Sequence, residues 1–349
     1  MTDFKVSLII PCYNIESIDY VDVNPFDVMI QSVINQSFGI ENIEVLLVDD
    51  CSSDNTKKVL KELNVKYSSI KPIFLEENSG HPSIPRNVGI DNASADYVMF
   101  LDQDDQMDID CVKRLYEEIT GNDVNFVKSN YSIRMGDSIL NYDTGKNERL
   151  VIKPGSEDMI YLVSHFMWGS IYEKIFLNKH HIRFPNSQAE DNLFLSMCYN
   201  LTDKDIISLN DYYSIIYTAN NNNSLSHSFN YKQVTDYINI FEQTIDSFIK
   251  YGQSDKFISL NLERYIIILI GSLLRSTGGY QTKNDMSNVI RDFLLRYGGY
   301  DIQLPLMWKL FADMIRYKLN ILIYLSSMFI NKVFENKVFA KFFRNKDYE

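Results

Sequence analysis

A chain of 349 residues is long enough for one large domain and a smaller second one. Its net charge of −12 argues against a general role in coating nucleic acid. The four cysteines are far apart, which argues against a zinc site and against disulfides and fits a reducing cytoplasm. No apolar run reaches the roughly 20 residues that span a bilayer, so neither a transmembrane helix nor a signal peptide is predicted.

The first hundred residues alternate short apolar runs with amphipathic segments. In chain order the predicted elements are a strand at Val6–Ile10, a helix at Pro25–Gln36, a strand at Ile43–Val48, a helix at Asp54–Tyr67 with Asp54 as its N-cap, a strand at Ile73–Leu75, a helix at Ile84–Asn92 and a strand at Tyr97–Leu101. This alternation predicts an α/β fold with a mostly parallel, doubly wound sheet. Such sheets bind ligands at the carboxyl ends of their strands.

The second half of the chain changes from a mixed pattern to a helical one. The predicted elements are strands at Phe126–Ser132 and Ile206–Leu209, and helices at Asn192–Tyr199, Tyr231–Lys250, Leu260–Arg275, Met286–Arg296 and Met307–Phe343. The polar run Asn220–Ser224 separates the two patterns. We therefore expect a catalytic domain over residues 1–228 and a helical region over residues 229–349.

Polar residues follow each of the four predicted parallel strands. They are Pro11–Asn14, Asp49–Ser52, Glu77–Gly80 and Asp102–Asp105. In an extended chain Asp102 and Asp104 point the same way, and a hard divalent cation would offset their repulsion. The alternative is that each acidic group only forms a turn or caps a helix.

Taken together, these motifs resemble the inverting family-two glycosyltransferases of the GT-A fold over about residues 4–227. The matching segments are Val6–Asn14, Val48–Asp54, Asn78–Gly89, Phe100–Asp105 and Ala189–Asp191. The form Asn-Ser-Gly-x-Pro-x-x-Pro-Arg-Asn looks most like bacterial enzymes that put N-acetylglucosamine on wall teichoic acid. The resemblance implies a Rossmann-like sheet, a UDP-sugar donor and a Mn²⁺ or Mg²⁺ cofactor.

The resemblance also implies a nucleotide site. Its residues would be Pro11, Tyr13, Asp49, Asp50, Asn78, Arg86 and Asp102. Asp49 and Asp50 would face the uracil and ribose, and Tyr13 would stack on the base. Asp102 would touch the ribose, and Arg86 would contact the diphosphate or brace the acidic pair. A turn-forming Asp pair, a packing Tyr and a solvated Arg are the alternatives that remain open.

The remaining implied residues concern the metal, the base and the acceptor. Asp104 and His227 would ligate the metal, and Asp191 would be the general base that accepts the proton of the acceptor hydroxyl. Trp168 and Glu190 would lie on the acceptor or sugar side. The alternatives are that Trp168 is a buried structural residue and that Glu190 and Asp191 only interact favourably with a helix dipole.

The predicted function is metal-dependent transfer of a sugar from UDP-GlcNAc, UDP-Glc or UDP-Gal to a hydroxyl of a cell-envelope glycan or teichoic acid. An inactive nucleotide-sugar or glycan-binding module and a nucleotidyltransferase are the alternatives. From Pro305 onward the sequence contains eight Lys and Arg residues and four Asp and Glu residues, which gives this tail a net charge of +4. This tail would meet the inner face of the cell membrane, where a lipid-linked acceptor lies, or pack on the catalytic domain or in a homo-oligomer.

Overall fold

The computed structural model describes residues 4–16, 24–136, 138–163, 166–218 and 229–335. These residues belong to two compact units, Met1–Asn223 and Ser224–Glu349. The predicted boundary lay after residue 228, within the polar stretch that follows the first unit.

Among the described residues of the first unit, ten strands form one sheet. They are β1 (Val6–Cys12), β2 (Ile43–Asp49), β3 (Ile70–Phe74), β4 (Tyr97–Phe100), β5 (Gln106–Met107), β6 (Phe126–Met135), β7 (Ser138–Asn141), β8 (Arg149–Ile152), β9 (Ser170–Glu173) and β10 (Ile206–Thr218). The spatial order is β3-β2-β1-β4-β9-β6-β10-β5, with β7 beside β6 and β8 beside β10.

Strand direction changes halfway across the sheet. β1 to β4 pair in parallel, and every residue of β1 and β2 is buried, as expected for strands covered on both faces. β9 is antiparallel to both β4 and β6, and β10 is parallel to β6. The predicted α/β sheet is therefore present but mixed, because the mostly parallel arrangement ends at β4.

In the described part of the first unit, six α-helices pack around this sheet. They are α1 (Pro25–Ile34), α2 (Thr56–Lys66), α3 (Ser83–Asn92), α4 (Cys111–Gly121), α5 (Lys174–Lys179) and α6 (Glu190–Leu201). α3 lies tightly on β1, since a Cβ at Gly89 would stand 2.3 Å from the Ile9 side chain. α2 begins at Thr56, so the predicted N-cap role of Asp54 is wrong. The Asp54 carboxylate instead accepts bonds from the backbone N–H of Thr56 and of Glu16, at 2.9 and 3.0 Å.

The second unit is helical, as predicted. Its helices are α7 (Tyr231–Lys250), α8 (Asp255–Arg275), α9 (Tyr280–Arg296), α10 (Leu306–Arg316) and α11 (Asn320–Glu335). α8 alone among the described helices is long and apolar enough to cross a bilayer, but 72% of its apolar window is buried inside the protein. Such burial is typical of a core helix, and the stack of Tyr265 on Phe241 at 3.9 Å is part of that core.

The single helix predicted at Met307–Phe343 is wrong. The chain breaks it after Arg316, where Lys318 adopts a left-handed backbone conformation with φ 57°. Lys318 is not a glycine or a proline, and apolar residues recur at helical spacing on both sides of it, so the sequence carries no signal for the break. Residues 336–343 lie outside the described part of the chain.

Candidate active site

The carboxyl ends of three parallel strands form one edge of the sheet. Cys12 in β1 is in register with Asp49 in β2, and the Asp50 N–H donates to the Cys12 carbonyl at 2.9 Å. On the other side of β1, the Leu101 N–H donates to the Ile9 carbonyl at 3.1 Å. This pairing brings the predicted acidic motifs after β2 and β4 to the same edge, as parallel strands require.

Asp49 and Asp50 are both buried, but their hydrogen bonding differs. Asp50 accepts from the backbone N–H of Ser79 at 2.9 Å, and the Asn78 amide donates to the Asp50 carbonyl at 2.8 Å. Asp49 accepts from the Ser52 N–H through Oδ1, while its Oδ2 has no hydrogen-bond partner among the described residues. Asp50 thus holds the loop after β3, whereas Asp49 keeps one buried carboxylate oxygen that accepts no hydrogen bond from the described residues.

Tyr13 and Pro11 lie at the end of β1. Gln103 ties this strand end to the loop after β4: its amide oxygen accepts from the Tyr13 N–H at 2.8 Å and its amide nitrogen donates to the Tyr13 carbonyl at 3.1 Å. The Tyr13 side chain remains 45% exposed, so its ring is available to a ligand. Pro11 is buried within β1 opposite Val48.

Arg86 is the centre of a buried charge network. It lies in the first turn of α3, donates to Asp102 Oδ1 at 2.6 Å and forms a second ion pair with Glu190. Burial disfavours its charge, but Asp102 and Glu190 outweigh that effect and hold the pKa of the guanidinium above its usual value. The alternative of a solvated Arg is excluded, and the carboxylates that Arg86 braces are Asp102 and Glu190 rather than Asp49 and Asp50.

Glu190 begins α6 and is buried against the network. Its Oε1 meets Arg86, and its Oε2 lies 3.6 Å from Nε2 of His81. Both carboxylate oxygens are therefore engaged inside the protein. The Glu190 carboxylate thus contacts Arg86 and His81, whereas the prediction placed it on the acceptor or sugar side.

Asp191 lies in the first turn of α6 and is partly exposed. Its Oδ1 accepts from the Asn192 N–H at 3.0 Å. The surrounding protein removes much of the water around the Asp191 carboxyl group, and this desolvation and the neighbouring charge of Glu190 raise its pKa well above the usual range; Arg86 reduces that rise only in part. A carboxylate with a raised pKa is better suited to accept a proton near neutral pH, as the predicted general base must.

Asp105 belongs to the acidic cluster after β4 but was not among the predicted site residues. Its Oδ1 accepts from the Thr218 N–H at 2.9 Å, and its Oδ2 is buried without a partner among the described residues. Burial and the charges of Asp104 and Asp102 raise the pKa of Asp105 well above its usual range. The sequence signal was present, because Asp105 ends the same acidic run, but only the structure shows that it is buried.

These carboxylates fit a divalent cation. The unpaired Asp105 oxygen and the mutual repulsion of Asp102, Asp104 and Asp105 are what a hard cation would relieve. The described residues contain no group of three His, Cys, Asp or Glu that could hold a metal by itself. Two carboxylates completed by substrate oxygens remain a suitable ligand set for magnesium or manganese. The other predicted ligand, His227, lies outside the described residues.

Trp168 lies in an aromatic cluster beside β6 and β10. Its indole is only 3% exposed and stacks on Phe166 with the ring centroids 4.3 Å apart. Tyr131 contacts the same indole edge-on at 5.1 Å. The structure thus places Trp168 in the core and not on an open sugar platform, which corrects the predicted position of this ring.

Solved structures of known proteins share this fold. The crystal structure of residues 1–349 of Staphylococcus aureus TarS in complex with UDP-GlcNAc superposes with a TM-score of 0.69 over 96% of this chain and 92% of that chain, at 21% identity. The TarS 1–349 complex with UDP gives a TM-score of 0.68 at 20% identity. These similarities show the fold and confirm the predicted GT-A architecture with its helical C-terminal region.

Proteins that are similar to this chain in sequence also include TarS. The poly(ribitol-phosphate) beta-glucosyltransferase of Bacillus spizizenii is 30% identical over 223 residues, which are 61% of this chain and 32% of that protein. The Staphylococcus aureus poly(ribitol-phosphate) beta-N-acetylglucosaminyltransferase TarS is 30% identical over 220 residues, which are 60% of this chain and 35% of that protein. The chain thus spans about a third of the length of these two relatives.

The match to a sequence family is confined to the unit that holds the site. Residues 7–171 match Glycosyl transferase family 2, and this range includes the strand ends after β1, β2 and β4. The resemblance predicted from the motifs is confirmed. Over residues 7–171 the chain is therefore similar to the family 2 glycosyltransferases.

Proposed function

We propose that the protein is a metal-dependent inverting glycosyltransferase that moves a sugar from a UDP-sugar to a hydroxyl of a teichoic acid or related cell-envelope acceptor. One observation carries the proposal: the buried Arg86 pairs both with Asp102, inside the stretch that matches family 2, and with Glu190, the residue before Asp191 in the first turn of α6. The raised pKa of Asp191 next to this network favours an acid–base role over an inactive binding module.

The donor side of the proposal rests on the strand-end residues. The unused acceptor of Asp49 suits the imide N–H of uracil, and the exposed Tyr13 ring suits stacking on the base. A relative bound to UDP-GlcNAc supports a UDP-sugar, and UDP-GlcNAc, UDP-Glc and UDP-Gal are the candidate donors. A divalent ion held by Asp104 and Asp105 would neutralise the diphosphate charge.

The reaction then needs one proton acceptor. The acceptor hydroxyl oxygen attacks the anomeric carbon, the bond from that carbon to the diphosphate oxygen breaks, and UDP leaves with the electron pair. The hydroxyl proton passes to Asp191, whose raised pKa suits that task. Attack from the face opposite UDP inverts the anomeric configuration.

Calorimetric titration with UDP tests the donor and metal assignments. In the presence of Mn²⁺ we expect wild-type protein to bind UDP, and we expect EDTA to weaken binding by roughly tenfold or more. Asp104→Ala should bind UDP weakly and equally with or without EDTA. Asp96→Ala, at an exposed carboxylate before β4, is the control and should behave like wild type. Equal UDP affinity for all three proteins in Mn²⁺ and in EDTA would reject the metal site.

We also propose peripheral contact with an anionic membrane surface through α11. Its outward face carries five exposed apolar residues at helical spacing, namely Ile321, Leu322, Leu325, Met328 and Phe329, the last of them 69% exposed. Lys309 and Lys318 are exposed in α10 and in the link before α11, and the tail carries a net charge of +4. Apolar residues flanked by lysines fit an anionic lipid interface.

Vesicle sedimentation tests this contact. We expect full-length protein to sediment with anionic vesicles and less so at high salt. The double variant Leu325→Glu and Phe329→Glu should remain in the supernatant. Val65→Glu, which replaces an 88% exposed apolar residue of α2, is the matched control and should sediment like wild type. Failure of the wild-type protein to sediment, or undiminished sedimentation of the double variant, would leave α11 as a protein-packing element.

A further inference from the structure

His81 is buried in the loop between β3 and α3, on the nucleotide side of the site. Its Nδ1 lies 2.8 Å from the Ser83 hydroxyl, and the Ser83 backbone N–H donates to the same nitrogen at 3.4 Å. A backbone N–H can only donate, so Nδ1 is an acceptor and the neutral ring carries its proton on Nε2. Nε2 lies 3.6 Å from Oε2 of Glu190.

Glu190 is thus held from both sides by one short segment of chain. Arg86 engages one carboxylate oxygen and His81 approaches the other, and both residues come from the loop and first turn at the start of α3. The two contacts join sequence positions more than a hundred residues apart. They tie the nucleotide side of the site to the first turn of α6.

The start of α6 needs such a restraint. Ala189, the residue before the helix, has φ 57° and ψ 32°, a left-handed conformation that is unfavourable for alanine. Surrounding contacts must therefore hold the chain in this conformation. Glu190 is the next residue, and Asp191 follows it directly. A change in the position of the Glu190 carboxylate would change the direction in which Asp191 points.

We propose that His81 is a positioning residue for Asp191 and acts through Glu190. Its Nε2–H holds the second oxygen of Glu190, which fixes the first turn of α6 and the orientation of the Asp191 carboxylate. The inference rests on the proposed function, since a positioned base matters only where an acceptor proton is removed. A displacement of about 1 Å in a catalytic group can cost on the order of 100-fold in rate.

Two amide substitutions separate this role from simple packing. In His81→Gln the side-chain amide nitrogen reaches the position that Nε2 has in histidine, so it can still donate to Glu190. In His81→Asn the side chain is shorter, and its amide reaches only the position of Nδ1. We expect His81→Asn to lower kcat for UDP release by roughly 10-fold or more with the donor KM within about 3-fold of wild type. His81→Gln should restore most of that loss. His181→Asn, at an exposed histidine, is the control.

A double-mutant cycle with Glu190→Gln gives the sharpest test. If His81 acts through Glu190, adding His81→Asn to Glu190→Gln should cost less than about 2-fold further in kcat. Additive losses, equal activity of the Asn and Gln variants, or a loss of UDP affinity in His81→Asn would each overturn the proposal. If His81→Asn fails to fold, Ser83→Ala replaces it, because it removes the hydroxyl partner of Nδ1 and should give a smaller loss of the same kind. Absence of UDP release by wild-type protein would instead reject the proposed function.

Discussion

Asp191→Asn should lower turnover by roughly 10²–10⁴-fold and leave UDP affinity nearly unchanged. Asparagine keeps the shape of the side chain and the oxygen that accepts the Asn192 N–H, but it cannot take up the proton of the acceptor hydroxyl. Steady-state UDP release together with UDP titration checks both halves of this prediction. Asp203→Asn, at an exposed carboxylate just after α6, is the control and should retain wild-type turnover.

The pH profile gives the same prediction a second readout. Because the pKa of Asp191 is raised, the base is protonated as pH falls through that raised value, and turnover should decline there rather than near the ordinary value of about 4. The residual activity of Asp191→Asn should lack this acidic decline. A parallel loss of UDP affinity, or an unchanged acidic decline in the variant, would mean that Asp191 is not the base.

Arg86→Met should destabilise the first unit by about 3–5 kcal/mol. The substitution leaves the buried Glu190 and the 30% exposed Asp102 without their shared cation, so two like charges face each other near the protein interior. Equilibrium unfolding in denaturant measures the change. Transfer should be lost as well, because the first turn of α6 loses its principal contact with α3.

Arg183→Met is the matched control for that prediction. Arg183 also forms a short ion pair, 2.7 Å from Asp91, but Arg183 is 30% exposed where Arg86 is 3% exposed, and Asp91 is 61% exposed. Exposed pairs contribute at most about 1 kcal/mol, so this variant should unfold almost like wild type. Comparable destabilisation by the two substitutions would show that burial of the Arg86 network does not matter.

The elements best predicted from the sequence are those whose burial pattern is local. β1 and β2 are short, mostly apolar runs, and α7 has the predicted bounds because its apolar stripe is local to the helix. β10 is longer than predicted, since register shifts after Leu209 admit polar residues into the strand. β7 is exposed along its whole length and therefore has no alternating pattern to recognise.

The residues of the candidate site also fall into two groups, those that a local motif predicts and those whose position depends on packing. Asp102, Asp104 and Asp191 are candidates that the sequence supplies by itself, because each lies in a short motif next to a strand or helix end, and their roles stay predictions. The partners of Arg86 could not, since Glu190 lies 104 positions away and nothing local connects the two. The burial of Trp168 and the contact of His81 with Glu190 depend equally on how β6, β10, α3 and α6 pack.

The central claim is that this edge of the sheet transfers a sugar from a UDP donor. The most direct measurement is UDP release by wild-type protein and Asp191→Asn with UDP-GlcNAc, UDP-Glc and UDP-Gal, Mn²⁺ and a poly(ribitol-phosphate) acceptor. The account predicts acceptor-dependent release by wild type with at least one donor and a loss of roughly 10²–10⁴-fold in the variant. Release that is absent with every donor, or equal in the two proteins, would contradict it.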